Sequence, residues 1–210
     1  MIRVMAMPEK FNEATWRIMP ERTPYVIRHC GKCNRKMDFT CSEKFRLNGN
    51  HARLDIWLIY KCSKCDSTLK LTIKKGVKPH DLTRELFDKF TNNDAGLAWD
   101  YAFNRAFLKQ NSCEVNYAGI DYHVEGFDRD DLDKPSLIHV KSPYPFELRL
   151  SVLLAKQLGI SVRQLQKLVD SGRIMTNPEC DIMKCRIHTD MDIRFGNLQG
   201  PYESISFISP

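Results

Sequence analysis

Cys30-Gly31-Lys32-Cys33 and Cys62-Ser63-Lys64-Cys65 each place two thiols on one short turn. Four thiolates from two such turns close a tetrahedral site, above all for zinc. One Cys-x-x-Cys alone also serves redox exchange, but two of them, each at a hairpin turn, point to a metal. A full thiolate set leaves no open coordination position, so the expected Zn2+ is structural rather than catalytic. Residues 34–61 make a longer spacer than the ~15–20 residues of a usual ribbon. That places an extra excursion near Cys41–Asn50. His29 adjoins Cys30, yet four cysteines make a histidine ligand unnecessary. Cys41 and Cys113 read as ordinary apolar cysteines. Cys180, Cys185 and His188 match no closed set of four.

The elements that position these thiols are short strands. Tyr25–His29 runs into the first Cys pair, and residues 35–41 form a second strand. Leu54, Ile56, Leu58 and Tyr60 alternate with Asp55, Trp57, Ile59 and Lys61, a period of two that marks a strand. Leu69, Leu71 and Ile73 alternate in the same way, so the second Cys pair is a hairpin turn. This is the geometry of a zinc ribbon. Residues 1–22 read as a loosely ordered lead anchored by Trp16. After Pro79, Leu82, Leu86, Phe87 and Phe90 mark a short helix with Asp81 as N-cap, broken by Asn92-Asn93-Asp94. A second helix runs to about Gln110. Residues 120–125 form a strand, Asp128–Asp133 a solvated loop, and Pro135, Pro143 and Pro145 bracket a linker.

A compact α-rich unit begins near Phe146. Leu148, Val152, Ala155 and Leu158 line one helix, which Gly159 closes. Ser161 with Gln164 makes a capping box for the next, whose buried face is Val162, Leu165, Leu168 and Val169. Residues 173–177, 182–187 and 191–195 read as short strands. Arg149-Leu150-Ser151, Leu158-Gly159-Ile160-Ser161 and Asp170-Ser171-Gly172-Arg173-Ile174 together resemble the small RNA-binding domain of the fourth small-subunit ribosomal protein. That domain also occurs in tyrosyl-tRNA synthetases and some pseudouridine synthases. The resemblance spans about residues 147–195 and implies basic side chains presented to structured RNA by two helices and a strand. On this chain they are Arg149, Arg163, Lys167 and Arg173. The chain departs from the pattern at Ser151, where Asp is usual, at Val162, where Arg is usual, and at Asn177-Pro178, where an Asn-Gly turn is absent. The same stretch fits a helix-turn-helix for DNA, with Arg163, Gln164, Gln166 and Lys167 on a recognition helix. Its third reading is a pair of amphipathic helices that only pack.

Charge is uneven. Residues 1–75 carry 16 Lys and Arg against 7 Asp and Glu, whereas residues 76–140 carry 7 against 12. The basic flanks suit a polyanionic partner. With 42% hydrophobic residues and three Trp, the chain is built for packed cores rather than disorder. No apolar run reaches the ~18 residues of a membrane span, and no secretory leader is expected from Met1-Ile2-Arg3-Val4-Met5. Eight cysteines then indicate metal ligation in a reducing cytoplasm. His80, His123 and His139 lack an identifiable nucleophile, so no enzyme is expected unless one of them lines a deep pocket.

Taken whole, the chain is similar to an uncharacterised bacterial family catalogued as domain of unknown function 1062. The stretches that carry this are Arg28–Asn34, Glu43–Arg46, Leu54–Cys62 and Phe90–Asp94. The resemblance implies one shared architecture and no activity. The resulting expectation is an α+β protein with a zinc-ribbon β domain over 1–78, a helical and stranded middle over 79–145, and an RNA-binding-like helix pair over 146–210. It would bind structured RNA without chemistry. A DNA-binding regulator and a protein-interaction scaffold are the alternatives.

Overall fold

The computed structural model describes residues 12–50, 52–128, 135–144, 146–187, 190–196 and 198. Two five-stranded sheets and five α-helices lie among them, so the class is α+β. The chain divides into two compact units, one of Pro20–Asp121 and one of Met1–Met19 with Tyr122–Pro210. The expected cuts after residues 78 and 145 do not coincide with these units. The physical reason is that the helices after Pro79 cover the sheet before it, and the two halves of the other unit share one sheet.

Strand β1 (Asn12–Pro20) opens the described chain and belongs to the discontinuous unit. It replaces the loose lead expected there. Trp16 and Ile18 are fully buried between exposed Thr15 and Arg17, the alternation of a strand with one core face. Residues 1–11 lie outside the described residues.

The unit of residues 20–121 holds β2 (Tyr25–Cys30), β3 (Arg35–Asn50), β4 (Arg53–Cys62), β5 (Thr68–Val77) and β6 (Glu114–Asn116). They pair antiparallel in the order β5-β4-β3-β2-β6. Ile56, Leu58, Tyr60 and Cys62 face the core, as the period of two requires, and Phe39, Phe45, Phe90, Ala98 and Leu108 join them. The excursion expected near Cys41–Asn50 is instead the second half of β3, which stays paired with β4 to Asn50. Its single irregularity is a bulge between Cys41 and Lys44. There Glu43 takes a positive φ of 56°, and its carboxylate accepts a 2.7 Å hydrogen bond from Trp99 Nε1. The Asn93 side-chain oxygen accepts from the Phe45 N–H at 2.7 Å. Both contacts fix the bulge against the helices, which is where bulges re-aim strands.

Those helices are α1 (Arg84–Thr91), α2 (Ala95–Phe103) and α3 (Arg105–Gln110). Thr83, not Asp81, caps α1, by accepting from the Leu86 N–H. Asp81 ends a one-turn 3-10 helix, Pro79–Asp81. The single helix expected up to Gln110 breaks at Asn104, whose side chain accepts from the Phe107 N–H. A short amide side chain that bonds the backbone locally competes with continued helix. Asn111, after α3, bonds both N–H and C=O of Thr72 on the β5 edge, and its own carbonyl accepts from Arg28 on β2.

The second unit combines β1 with β7 (Tyr122–Glu125), β8 (Ser136–Lys141), α4 (Leu150–Leu158), α5 (Val162–Asp170), β9 (Ile174–Asn177) and β10 (Asp190–Phe195). Its sheet runs β7-β1-β8-β10-β9. β1 and β8 pair in parallel, from Asn12↔Ser136 to Arg17↔Lys141. Parallel neighbours require a long crossover, and here it contains the whole other unit. The segment taken as a Pro-bracketed linker is thus the middle strand of a sheet, with Ser136, Ile138 and Val140 buried. Residues 129–133 of the acidic loop lie outside the described residues. In α4 the buried apolar residues are Leu150, Leu153, Leu154 and Leu158, while Val152, expected inside, is 47% exposed. In α5 Leu165 is buried and Leu168 and Val169 are half-buried, as expected, while Val162 at the first turn is 52% exposed. Residues 182–187 make a turn and one isolated bridge, Arg149↔Arg186, rather than a strand.

Candidate metal centre

Both Cys pairs sit where a strand ends. Cys30 is the last residue of β2 and Cys62 the last of β4, so each first cysteine is held by a ladder and each second one by the following turn. Asn34 and Asp66 take positive φ values of 52° and 58° to close those turns. The Asp66 N–H bonds the Cys62 carbonyl, and the Cys62 N–H bonds the Ser67 carbonyl. Phe39 pairs with Cys62 and Arg35 with Cys30, so β3 bridges the two knuckles.

The four Sγ atoms lie within 4.8 Å of one another. Cys30 Sγ is 3.5 Å from Cys65 Sγ, and Cys33 Sγ is 3.9 Å from Cys62 Sγ. An ion with metal–sulfur bonds of about 2.3 Å needs a tetrahedral edge of roughly 3.8 Å. Two of the sulfur–sulfur distances match this edge and none exceeds 4.8 Å, so the four thiols can surround one ion. Among the described residues this is the one group of three or more His, Cys, Asp or Glu ligands close enough to hold a metal. His29 points away from it, exposed and paired across the ladder with Lys36. His188 lies outside the described residues, so the Cys180–Cys185–His188 set is not completed here. Cys41 and Cys113 are in or against the apolar core, as expected.

Electrostatics polarise the cluster. The Ser67 hydroxyl, 3.0 Å from Cys65 Sγ, and the Ser67 N–H hold the Cys65 thiol down at about 6. The Cys33 N–H lowers Cys30. Cys33 is pushed up to about 12, first by its hydrogen bond to Cys65 and then by burial. Thiolate character is thus present on the cluster near neutral pH, and a bound divalent cation would favour loss of the remaining protons from Cys30, Cys33 and Cys62. Ser67 was not singled out from sequence. Its signal is a hydroxyl two residues beyond the last cysteine. Outer partners of this kind typically support metal affinity by 10–100-fold. Ser67→Ala should therefore weaken the metal by roughly 10-fold or more in competition with a chromogenic chelator. Unchanged competition would remove Ser67 from the site.

The four basic residues expected to meet nucleic acid are placed differently. Arg163 and Lys167 are exposed one turn apart on α5, hence on one face. Arg149 is exposed at the start of α4. Arg173 is half-buried beyond α5, and its Nη1 donates to the Leu198 carbonyl at 3.0 Å. Gln164 and Gln166 are held locally. Gln164 closes the capping box with Ser161, and Gln166 Nε2 donates to Asp170 at 2.7 Å.

Three of the described histidines pair with carboxylates. His139 Nδ1 lies 2.7 Å from Asp192 Oδ1, its cross-strand partner. His123 pairs with Glu125 and His80 with its neighbour Asp81, all well exposed. His80 lines an open cleft with Ala52, Arg53, Lys78 and Pro79. Among the described residues no helix is long and apolar enough to cross a membrane.

No curated protein and no solved structure matches the chain. A family match exists over residues 47–180, which begins after Cys30 and Cys33 and includes Cys62 and Cys65. It also begins after two of the stretches that carry the resemblance, Arg28–Asn34 and Glu43–Arg46. The match covers more than half of the chain, and the chain belongs to that family, described as Protein of unknown function (DUF1062).

Proposed function

We propose that this is a zinc-ribbon protein that binds structured RNA through its helix pair and performs no chemistry on it. The observation that carries the zinc half is the closed four-sulfur group on two strand ends. Four thiolates complete the shell of Zn2+, so the ion acts as a folding device. The RNA half rests on the α4–α5 pair. Gly159 turns the chain with a left-handed φ of 64°, the capping box starts α5, and Gly172 at φ 68° leads into β9. This is the order of elements that the ribosomal RNA-binding domain resemblance implies. Arg163 and Lys167 on the exposed face supply phosphate contacts, whose formation releases counterions. A DNA reader at this helix would use Gln164 and Gln166 on base edges. Their local hydrogen bonds favour the RNA reading.

Filter binding of a structured RNA at two salt concentrations tests this. Affinity should fall as salt rises, and Arg163→Ala with Lys167→Ala should weaken binding and reduce the salt slope by about 1 per residue. Absence of binding at low salt, or a slope unchanged in the double variant, would reject it.

A further inference from the structure

The sheet of residues 20–121 has a second face. The core takes the side bearing Ile56, Leu58 and Tyr60. The opposite side bears Trp57, Ile59 and Lys61 on β4. The pairing register places three cross-strand rows on it: Arg46–Trp57–Thr72, Lys44–Ile59–Lys70 and Thr40–Lys61–Thr68. Neighbouring strands lie about 4.8 Å apart and successive rows about 6.7 Å. Arg46, Lys44, Lys70, Thr40 and Thr68 are exposed, and Trp57 is half-exposed. Lys70 Nζ stands 5.2 Å from the Trp57 ring centre. Ile59 is covered to 9% exposure between the Lys44 and Lys70 positions.

Charge decides what this face suits. Among the described residues no acid pairs with Lys44, Arg46 or Lys70, while Lys61 lies 3.6 Å from Asp66. The carboxylate on the adjoining row, Asp55, accepts from the Gly76 N–H at 2.7 Å. Toward β2 and β6 the face also holds Asp38, which is half-buried, and Glu114, which Lys36 pairs at 3.1 Å. The centre is therefore an aromatic ring and an aliphatic side chain inside unpaired cations. An apolar protein segment would desolvate those cations without compensation. A polyanion with flat apolar rings satisfies both parts.

We propose that this face is a platform for single-stranded nucleic acid. Trp57 stacks a base, and Lys44, Arg46 and Lys70 hold the phosphates on either side. A sheet that stacks splayed bases on aromatic side chains and tracks the backbone with cations binds single strands with little sequence preference. Duplexes keep their bases stacked on each other and cannot use the ring. This surface is independent of Arg163 and Lys167.

The test titrates end-labelled 12-nucleotide oligo(U), oligo(dT) and a 12-base-pair duplex with the full-length, metal-loaded chain, reading affinity from fluorescence anisotropy and tryptophan emission in parallel. Trp16 is fully buried, so quenching reports on Trp57 and Trp99. Single strands should quench the emission, and raising salt should reverse it. Trp57→Ala should weaken binding roughly 5- to 140-fold, and Trp57→Phe, which keeps a ring, by less. Lys44→Glu with Arg46→Glu should also weaken it, at positions where no core packing is lost. Arg163→Ala with Lys167→Ala should leave it unchanged, which separates this platform from the helix pair. Preference for oligo(U) or oligo(dT) identifies the natural strand. Equal binding of the duplex, equal affinity of Trp57→Ala, or displacement by poly-glutamate at matched charge would overturn the proposal.

Discussion

Removing the metal should unfold the unit of residues 20–121. The four thiols join the end of β2 to the turn after β4, and Cys30 and Cys62 also belong to the apolar core. A structural zinc contributes about 10–16 kcal/mol to folding in small metal-built units, whereas a whole domain is stable by about 5–15 kcal/mol. The loss is therefore of the same size as the whole stability of a domain. Without the ion, four thiols crowd within 4.8 Å, and one thiolate opposes ionisation of the next. Chelator excess, or Cys62→Ser, should abolish amide-exchange protection in β3 and β4. Because ligand thiols must shed protons, acidification should release the metal as protons compete for the thiolates. Zinc at concentrations above its dissociation constant should raise the melting temperature in proportion to its logarithm. Retained protection in the chelated protein would show a core that stands alone.

Trp16→Ala should cost the discontinuous unit about 3–5 kcal/mol, the range for truncating a fully buried aromatic ring. Trp16 is 0% exposed. Its ring lies edge-on to Phe127 at 5.2 Å and 6.1 Å from Phe195 on β10. Its strand pairs with β8, so the cavity opens in the middle of the sheet. A lead that only touched the surface would lose less than about 1 kcal/mol on the same change. Urea denaturation of the variant distinguishes the two, with a lower midpoint at unchanged slope expected for the buried strand.

The contrast between these two predictions explains what sequence could show. The Cys pairs, the β4–β5 hairpin and the α5 capping box are local. Residues three to ten apart define them, and each stands in the structure where the spacing put it. β1 and β8 are each short, and their pairing joins Asn12 to Ser136 across an entire inserted unit. Nothing within either segment encodes that partner, and prolines at 135, 143 and 145 disguised the second strand as a linker. The bulge at Cys41–Lys44 was hidden for a related reason. Glu43 and Phe45 are fixed there by Trp99 and Asn93, some fifty residues later. In α4 and α5 the helices were legible, but one apolar position in each was misplaced. Val152 and Val162 satisfy an apolar period, yet both are exposed, and α4 buries Leu153 and Leu154 instead. For the candidate site, the ligands were legible and Ser67 was not, because a lone serine carries no spacing signal.

Native mass spectrometry of the full chain beside its Cys62→Ser variant tests the central claim most directly. The account predicts one zinc per folded chain and none on the variant. A folded chain that carries no metal and titrates four free thiols at these positions, or that carries iron in their place, would contradict it.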